Sequence, residues 1–299
     1  MEILENACLE DYSTMRLGGR AAYLTKVADR EQLKEAITWA KQRQLPVIMI
    51  GSGSNIIWKD SGFNGLVICN RIFYYQEEPI GDDADKTALV KVGGGENWDK
   101  VVERTVSRGL SGIESLSLIP GTAGATPVQN VGAYGQEIRD TLVSVEAYDN
   151  EPGEIVIINK EDCGLSYRTS RFKTVDRGRF FITMITLQLR RGDPVQPFYP
   201  AVQNYLADHG IVNFTPQTIR DAVIAIRQTK LPDPVLVPNC GSFFANPIIE
   251  EMEYTRLQSC FPSRANVGLR LQEHKSGGIW TNPQHSGKYR DPIFQVPQL

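Results

Sequence analysis

Apolar positions fall into two rhythms along this chain. Leu33, Ala36, Ile37 and Ala40 recur at the spacing of one helix face, and Asp29 before them predicts an N-cap with Gln32 as its capping-box partner. After Pro46, Val47-Ile48-Met49-Ile50 is a continuous apolar run of buried-strand length, ending in Gly51-Ser52-Gly53-Ser54-Asn55. The unit recurs with variations. Residues 88–92 predict a strand that ends in Gly93-Gly94-Gly95, and a helix follows with Trp98, Val101, Val102 and Val106 on one face. Residues 142–148, 154–158 and 179–190 predict further strands. Thr215 and Pro216 predict a cap and first helical residue, with Ile219, Val223 and Ile226 lining the buried face and residues 230–234 ending the helix. Helices and strands mix without strict alternation, so the expected class is α+β. Arg191-Gly192-Asp193-Pro194 is a plausible domain boundary. From about residue 255 the rhythm fades, and residues 264–299, rich in Gly, Pro, Gln, Asn and Ser, read as loop or poorly packed tail.

Residues 119–135 contain Pro120, Gly121, Gly124, Pro127, Gly132 and Gly135, which rules out a regular element interior. Glycine accepts positive φ and lets backbone N–H groups approach a ligand, and successive N–H groups form an anion-binding concavity. A plain surface loop is the alternative; the two further Gly-rich loops upstream weaken it. Gly51–Asn55 is not a dinucleotide GxGxxG fingerprint, because neither the spacing nor a following helix fits. Arg168, among the small polar residues of 165–173, suits carboxylate binding through its planar fork, against the alternative of a solvated arginine. Ser242 sits between Gly241 and two aromatics, Phe243 and Phe244. No GxSxG elbow exists and no histidine is near in sequence, so a hydrolase triad is poorly supported and a proton-donating serine is the alternative.

Composition narrows the partners. Across 299 residues the net charge is −3 with no basic stripe, so nucleic acid is not expected. No apolar run reaches a membrane span, and the acidic N-terminus has no signal-peptide core. The five cysteines are scattered without CxxC spacing and read as reduced thiols of a cytoplasmic protein. The three histidines stand at no metal-ligand spacing, so no metal is expected.

Taken in order, Ser13-Thr14-Met15-Arg16, residues 51–55, 93–98, 119–135, Tyr167-Arg168, 227–234 and 241–247 resemble the UDP-N-acetylenolpyruvoylglucosamine reductase family of flavoenzymes. The stretch between Arg190 and Thr215, with Pro197-Phe198-Tyr199, resembles the family's longer branch, whose tyrosine loop closes over substrate. The resemblance implies an FAD-binding domain over residues 1–191, of the vanillyl-alcohol-oxidase-like type, with lobes of about 1–71 and 72–191. A smaller α+β substrate-binding domain over 192–299 would follow, incomplete after about 255. It implies FAD as cofactor, NADPH as hydride donor and a UDP-sugar as substrate, in a chain that is a monomer. By motif matching it assigns FAD to Gly51, Ser52, Gly53, Ser54, Asn55, Gly121, Thr122, Gly124, Ala125, Gln129, Asn130, Gly132 and Ala133. Arg168 would stabilise charge on the substrate carboxylate, Ser242 would donate a proton, and Lys230, Asn246 and Tyr199 would contact the UDP-sugar. The family continues past the serine motif with a helix, a glutamate near a short strand and a closing helix, a pattern residues 264–299 lack. That leaves either a reduced third domain or an altered or truncated end, with Glu273 as the candidate third catalytic group or a solvated glutamate. A non-catalytic FAD-binding relative and another oxidoreductase on the same scaffold are the other readings.

Overall fold

The structure is a computed structural model that describes residues 1–80, 86–242, 248–249, 251–260, 269–273 and 279–283. Strand β1 (Leu4–Cys8) and β2 (Arg20–Val27) lead into helix α1 (Arg30–Gln42), followed by β3 (Val47–Ile50) and β4 (Phe63–Asn70). They make a four-stranded sheet in the order β1-β2-β4-β3, with β2, β4 and β3 parallel and β1 antiparallel at the edge. Helix α1 starts where the sequence predicts, because Asp29 accepts the Gln32 N–H at 2.8 Å. The capping box is displaced by one residue: the Gln32 side chain accepts from the Ala28 N–H at 3.0 Å. Leu33, Ala36, Ile37 and Ala40 are all buried, packing with Leu66 and Ile68 of β4. Each fully buried leucine or isoleucine among them contributes about 1.5–3 kcal/mol.

The second sheet begins with β5 (Tyr75–Pro79) and β6 (Thr87–Gly93), then helix α2 (Trp98–Ser107) and the short β7 (Leu110–Ser111). The ribbon of β8 (Gly132–Ala133) and β9 (Gln136–Glu137) and the single turn α3 (Ile138–Thr141) precede β10 (Leu142–Asp149), β11 (Glu154–Asn159) and β12 (Phe180–Arg191). The order is β11-β10-β12-β6-β5, antiparallel throughout, with β7 also paired to β12. The two sheets are joined by polar contacts as well as by α1. Arg30 makes a two-pronged pair with Glu146 on β10 at 2.6 and 2.7 Å, and the β10–β12 ladder slips between Glu146 and Ala147, where that carboxylate is taken up. Asn70, at the end of β4, donates to the Ile182 carbonyl of β12 at 2.9 Å.

Helix α4 (Pro200–Asp208) and helix α5 (Pro216–Lys230) follow. Thr215 caps α5 as expected, accepting the Thr218 N–H at 3.2 Å, and Ile219, Ala222, Val223 and Ile226 bury against Val202 and Leu206 of α4. These elements all lie in one compact unit, Met1–Gly241, and residue 191 falls inside it. The second unit, Ser242–Leu299, contains β13 (Ile248–Ile249), α6 (Glu251–Cys260), β14 (Leu269–Glu273) and β15 (Ile279–Pro283), with an antiparallel sheet in the order β13-β15-β14. The expectation of loop throughout 264–299 is therefore corrected, because β14 and β15 pair from Leu269 opposite Pro283 to Glu273 opposite Ile279. Leu269-Arg270-Leu271-Gln272 alternates at the strand period, a signal hidden by the Gly- and Pro-rich stretches around it.

Candidate active site

Three glycine-rich segments meet at one place. The Gly124 N–H donates to the Gly94 carbonyl at 3.0 Å, the Ala123 N–H to the Glu96 carbonyl at 2.9 Å, and the Trp98 N–H to the Gly121 carbonyl at 3.1 Å. Ser54 Oγ donates to the Pro120 carbonyl at 3.0 Å and Asn55 Nδ2 to Gln129 Oε1 at 3.0 Å. Glycine is required for this convergence. A Cβ on Gly51 would lie 2.2 Å from Thr122 Oγ1, and one on Gly124 would lie 2.9 Å from Gly94 Cα. The loops distant in sequence thus form one backbone-rich cradle with hydroxyls at Ser52, Ser54 and Thr122.

Beside it, a cleft of about 380 Å³ is lined by Asp11, Tyr12, Lys26, Gly51, Ser52 and Arg71. Lys26 lies near the carboxyl end of β2, Gly51 follows β3 and Arg71 follows β4. They therefore line the crevice outside the carboxyl ends of three parallel strands, where α/β sheets bind ligands. Arg71 is braced by the Asn70 carbonyl at 2.8 Å. Lys26 and Arg71 escape sequence reading because only the parallel strand order brings them to Gly51. Two cations, hydroxyls and close-packed glycine backbone make a donor set that fits the diphosphate of a dinucleotide cofactor.

The far end of the 119–135 loop holds Arg168. Ser166 and Thr169 exchange backbone hydrogen bonds at 3.1 Å, a tight turn that leaves Arg168 at φ 53°, left-handed for a residue with a side chain. Its Nη2 donates to the Gly132 carbonyl at 2.7 Å, and its guanidinium lies 5.3 Å from the Tyr167 ring centroid. Asn130 is fully buried and its amide is consumed in holding this turn to the loop. Nδ2 donates to the Ser166 carbonyl at 3.1 Å and to Glu137 at 3.0 Å, while Oδ1 accepts the Arg139 N–H at 3.1 Å. A Cβ on Gly132 would lie 2.8 Å from Glu137 Cγ and 3.2 Å from Arg168 Nη1, so glycine there keeps room for the guanidinium.

Tyr199 precedes α4 and packs edge-on against Tyr134 of the loop, with ring centroids 5.7 Å apart. Beside Tyr134 lies Arg227, one turn before Lys230 ends α5. Burial pushes the Arg227 pKa down, offset in part by Tyr134 and Asp99, and its buried Nε has no acceptor among the described residues. Lys230 itself is exposed. The first unit thus brings Arg168, Tyr199 and the glycine loops together. Ser242 is the exposed first residue of the second unit, Glu273 ends β14, and Asn246 lies outside the described residues.

Comparison with known proteins agrees with this geometry. A family model described as an FAD binding domain matches residues 21–159, which carry all three glycine segments. The UDP-N-acetylenolpyruvoylglucosamine reductase of Ralstonia nicotianae is 40% identical over 279 residues, 93% of this chain and 81% of that protein. The enzyme of the same name from Pseudomonas aeruginosa is 37% identical over 262 residues, covering 88% of this chain and 76% of its own length. Among solved structures, UDP-N-acetylenolpyruvylglucosamine reductase from Thermus caldophilus shares the fold, with a TM-score of 0.61 at 24% identity over 96% of this chain and 90% of that one. On this evidence the chain belongs to the UDP-N-acetylenolpyruvoylglucosamine reductase family.

Proposed function

We propose that the protein reduces the enolpyruvyl ether of UDP-N-acetylglucosamine to the lactyl ether of UDP-N-acetylmuramate, consuming NADPH, in peptidoglycan precursor synthesis. The observation that carries the reading is the convergence of three glycine segments into one cradle whose far end pins Arg168. Bound FAD would supply the hydride chemistry that links NADPH to the substrate. Gly51–Asn55, Gly121, Thr122, Gly124 and Ala125 would hold it through backbone and hydroxyl groups, with Gln129, Asn130, Gly132 and Ala133 continuing that wall. Lys26 and Arg71 offset the diphosphate charge.

Hydride addition at C3 of the enol ether drives negative charge into the adjacent carboxylate. Arg168 is the cation for that charge, held by the Gly132 carbonyl and the Ser166–Thr169 turn. Ser242 donates the proton that completes C2, and Glu273 assists it. Tyr199, Lys230 and Asn246 hold the UDP-sugar, whose diphosphate suits a cation and a phenol. We read the protein as a cytoplasmic monomer, with FAD bound by residues 1–191 and the sugar nucleotide by 192–299; the scattered thiols favour that compartment. No helix of the described residues is long and apolar enough to cross a membrane.

The test is NADPH oxidation with and without the enolpyruvyl UDP-sugar. Purified protein should be yellow, NADPH should bleach it, and the sugar should restore the colour with turnover. Bleaching that no UDP-sugar reverses would leave the chain a flavin-binding relative of the reductases.

A further inference from the structure

Asp99, the second residue of α2, serves two partners at once. Its Oδ1 accepts the Leu118 N–H at 2.6 Å, where Leu118 stands at φ 57° immediately before the glycine loop. Both its oxygens take the Arg220 guanidinium of α5, at 2.7 and 3.1 Å. The Arg220 side chain is only 5% exposed and that of Asp99 23%. Such a fork has one geometry, unlike the point charge of a lysine.

Helix α5 also packs on α4 through Ile219, Ala222, Val223 and Ile226, and touches α2 and residues 114–116. The hydrophobic effect is non-directional, whereas the two-pronged ion pair adds a directional restraint on rotation and axial register. Arg227 lies seven residues beyond Arg220, within about 20° on the same helix face, and Lys230 lies about 15 Å up the axis. A small rotation or slip at Arg220 is therefore transmitted to the end of the helix. The same carboxylate holds the entrance of the loop that forms the cofactor cradle.

We propose that the Asp99–Arg220 pair is a positioning clamp that registers the end of α5, with Lys230, against the cofactor loop, so that the UDP-sugar diphosphate and the flavin are held in fixed relation. The proposal rests on the reading of Lys230 as a UDP-sugar contact. Neither member of the pair touches substrate; both act through α5 and Leu118.

Steady-state kinetics of Arg220→Met, Arg220→Lys, Lys230→Ala and the Arg220→Met/Lys230→Ala double variant test it, alongside FAD titration and thermal melting. Arg220→Met should raise the KM for the enolpyruvyl UDP-sugar about tenfold with kcat within about twofold, and the double variant should add less than about twofold to Lys230→Ala, because coupled residues are not additive. FAD affinity should be retained in Arg220→Met, since the Leu118 bond to Asp99 survives. Arg220→Lys, which keeps charge and loses the fork, should fall between wild type and Arg220→Met and serves alone where Arg220→Met does not fold. If Lys230→Ala raises KM while the Arg220 variants only lower the melting temperature, the clamp is wrong and the reading of Lys230 stands. Full additivity in the double variant also overturns the clamp. An unchanged KM in Lys230→Ala removes Lys230 from the sugar-nucleotide site, and the clamp with it.

Discussion

Gly51→Ala isolates the role of loop convergence, because Gly51 needs no special backbone conformation and only close approach forbids a side chain. The added Cβ would lie 2.2 Å from Thr122 Oγ1, about 1.2 Å inside the 3.4 Å at which ordinary contact begins. Rotating Thr122 moves Oγ1 and Cγ2 but leaves its Cβ at 3.1 Å from the same point, still inside ordinary contact. Thr122 is itself buried, and its backbone is bridged to Asn97. The added methyl therefore forces Thr122 out of its rotamer and pushes the 51–55 and 121–125 segments apart by a few tenths of an ångström. Overpacking of this kind costs about 1–3 kcal/mol. If that cost falls on the state in which both loops grip the cofactor, the FAD Kd rises by about 5- to 150-fold. Titration of stripped protein with FAD, read by flavin fluorescence, measures it, and melting of the stripped protein separates a general loss of stability. Thr122→Ala removes Oγ1 and Cγ2 and should recover part of the loss in the double variant. An FAD Kd within about twofold of wild type for Gly51→Ala, with no response to Thr122→Ala, would refute the reasoning.

Other perturbations address the chemistry and the joint between sheets. Arg168→Lys replaces a fork by a point charge that cannot hold the Gly132 carbonyl and a carboxylate together; kcat should fall on the order of 10²–10³ while FAD affinity is kept, as single-turnover kinetics would show. Ser242→Ala should leave bleaching by NADPH intact and block turnover of the enolpyruvyl sugar, measured by stopped-flow absorbance; normal turnover would remove the serine from the mechanism. Burial pushes the Asp99 and Glu146 carboxyls up, but the guanidinium of Arg220 and that of Arg30, with their hydrogen bonds, outweigh it and hold both below the usual range. Folded values below unfolded ones mean stabilisation that is complete above about pH 4.5 and lost as pH falls through the folded values. Urea midpoints from neutral pH downward should show that acid limb, and Glu146→Gln should flatten it.

What the sequence reveals follows from how far each signal reaches along the chain. Helices α1, α2 and α5 are legible because cap, period and stop lie within a dozen or so residues. Strands β3, β6, β10, β11 and β12 are legible from unbroken apolar or β-branched runs. Helix α4 escapes because it buries only Val202 and Leu206, too few positions to establish a period. The glycine segments announce a ligand, but not that they share one; that needs Gly94 against Gly124 and Gly51 against Thr122. Lys26, Arg71 and the Asp99–Arg220 pair carry no local pattern at all. Asp99 and Arg220 are 121 residues apart, and nothing near either distinguishes it from a solvated charge on a helix.

Four residues with side chains adopt left-handed φ around the loop: Leu118, Asn130, Tyr134 and Arg168. Such positions cost on the order of 1–3 kcal/mol each and persist only where surroundings over-determine them. Here the surroundings can be named. Asp99 holds the Leu118 N–H, Asn130 is tied through both ends of its amide, Tyr134 packs on Tyr199, and the Ser166–Thr169 turn and the Gly132 carbonyl hold Arg168. Every one of these restraints is supplied by the protein's own groups. A cation placed in advance loses no energy to reorganisation when charge develops on the substrate, which is the condition for electrostatic stabilisation of a transition state. The strain in the loop is thus the structural counterpart of the role proposed for Arg168: the same bonds that force its backbone into an unfavoured region fix where its charge stands.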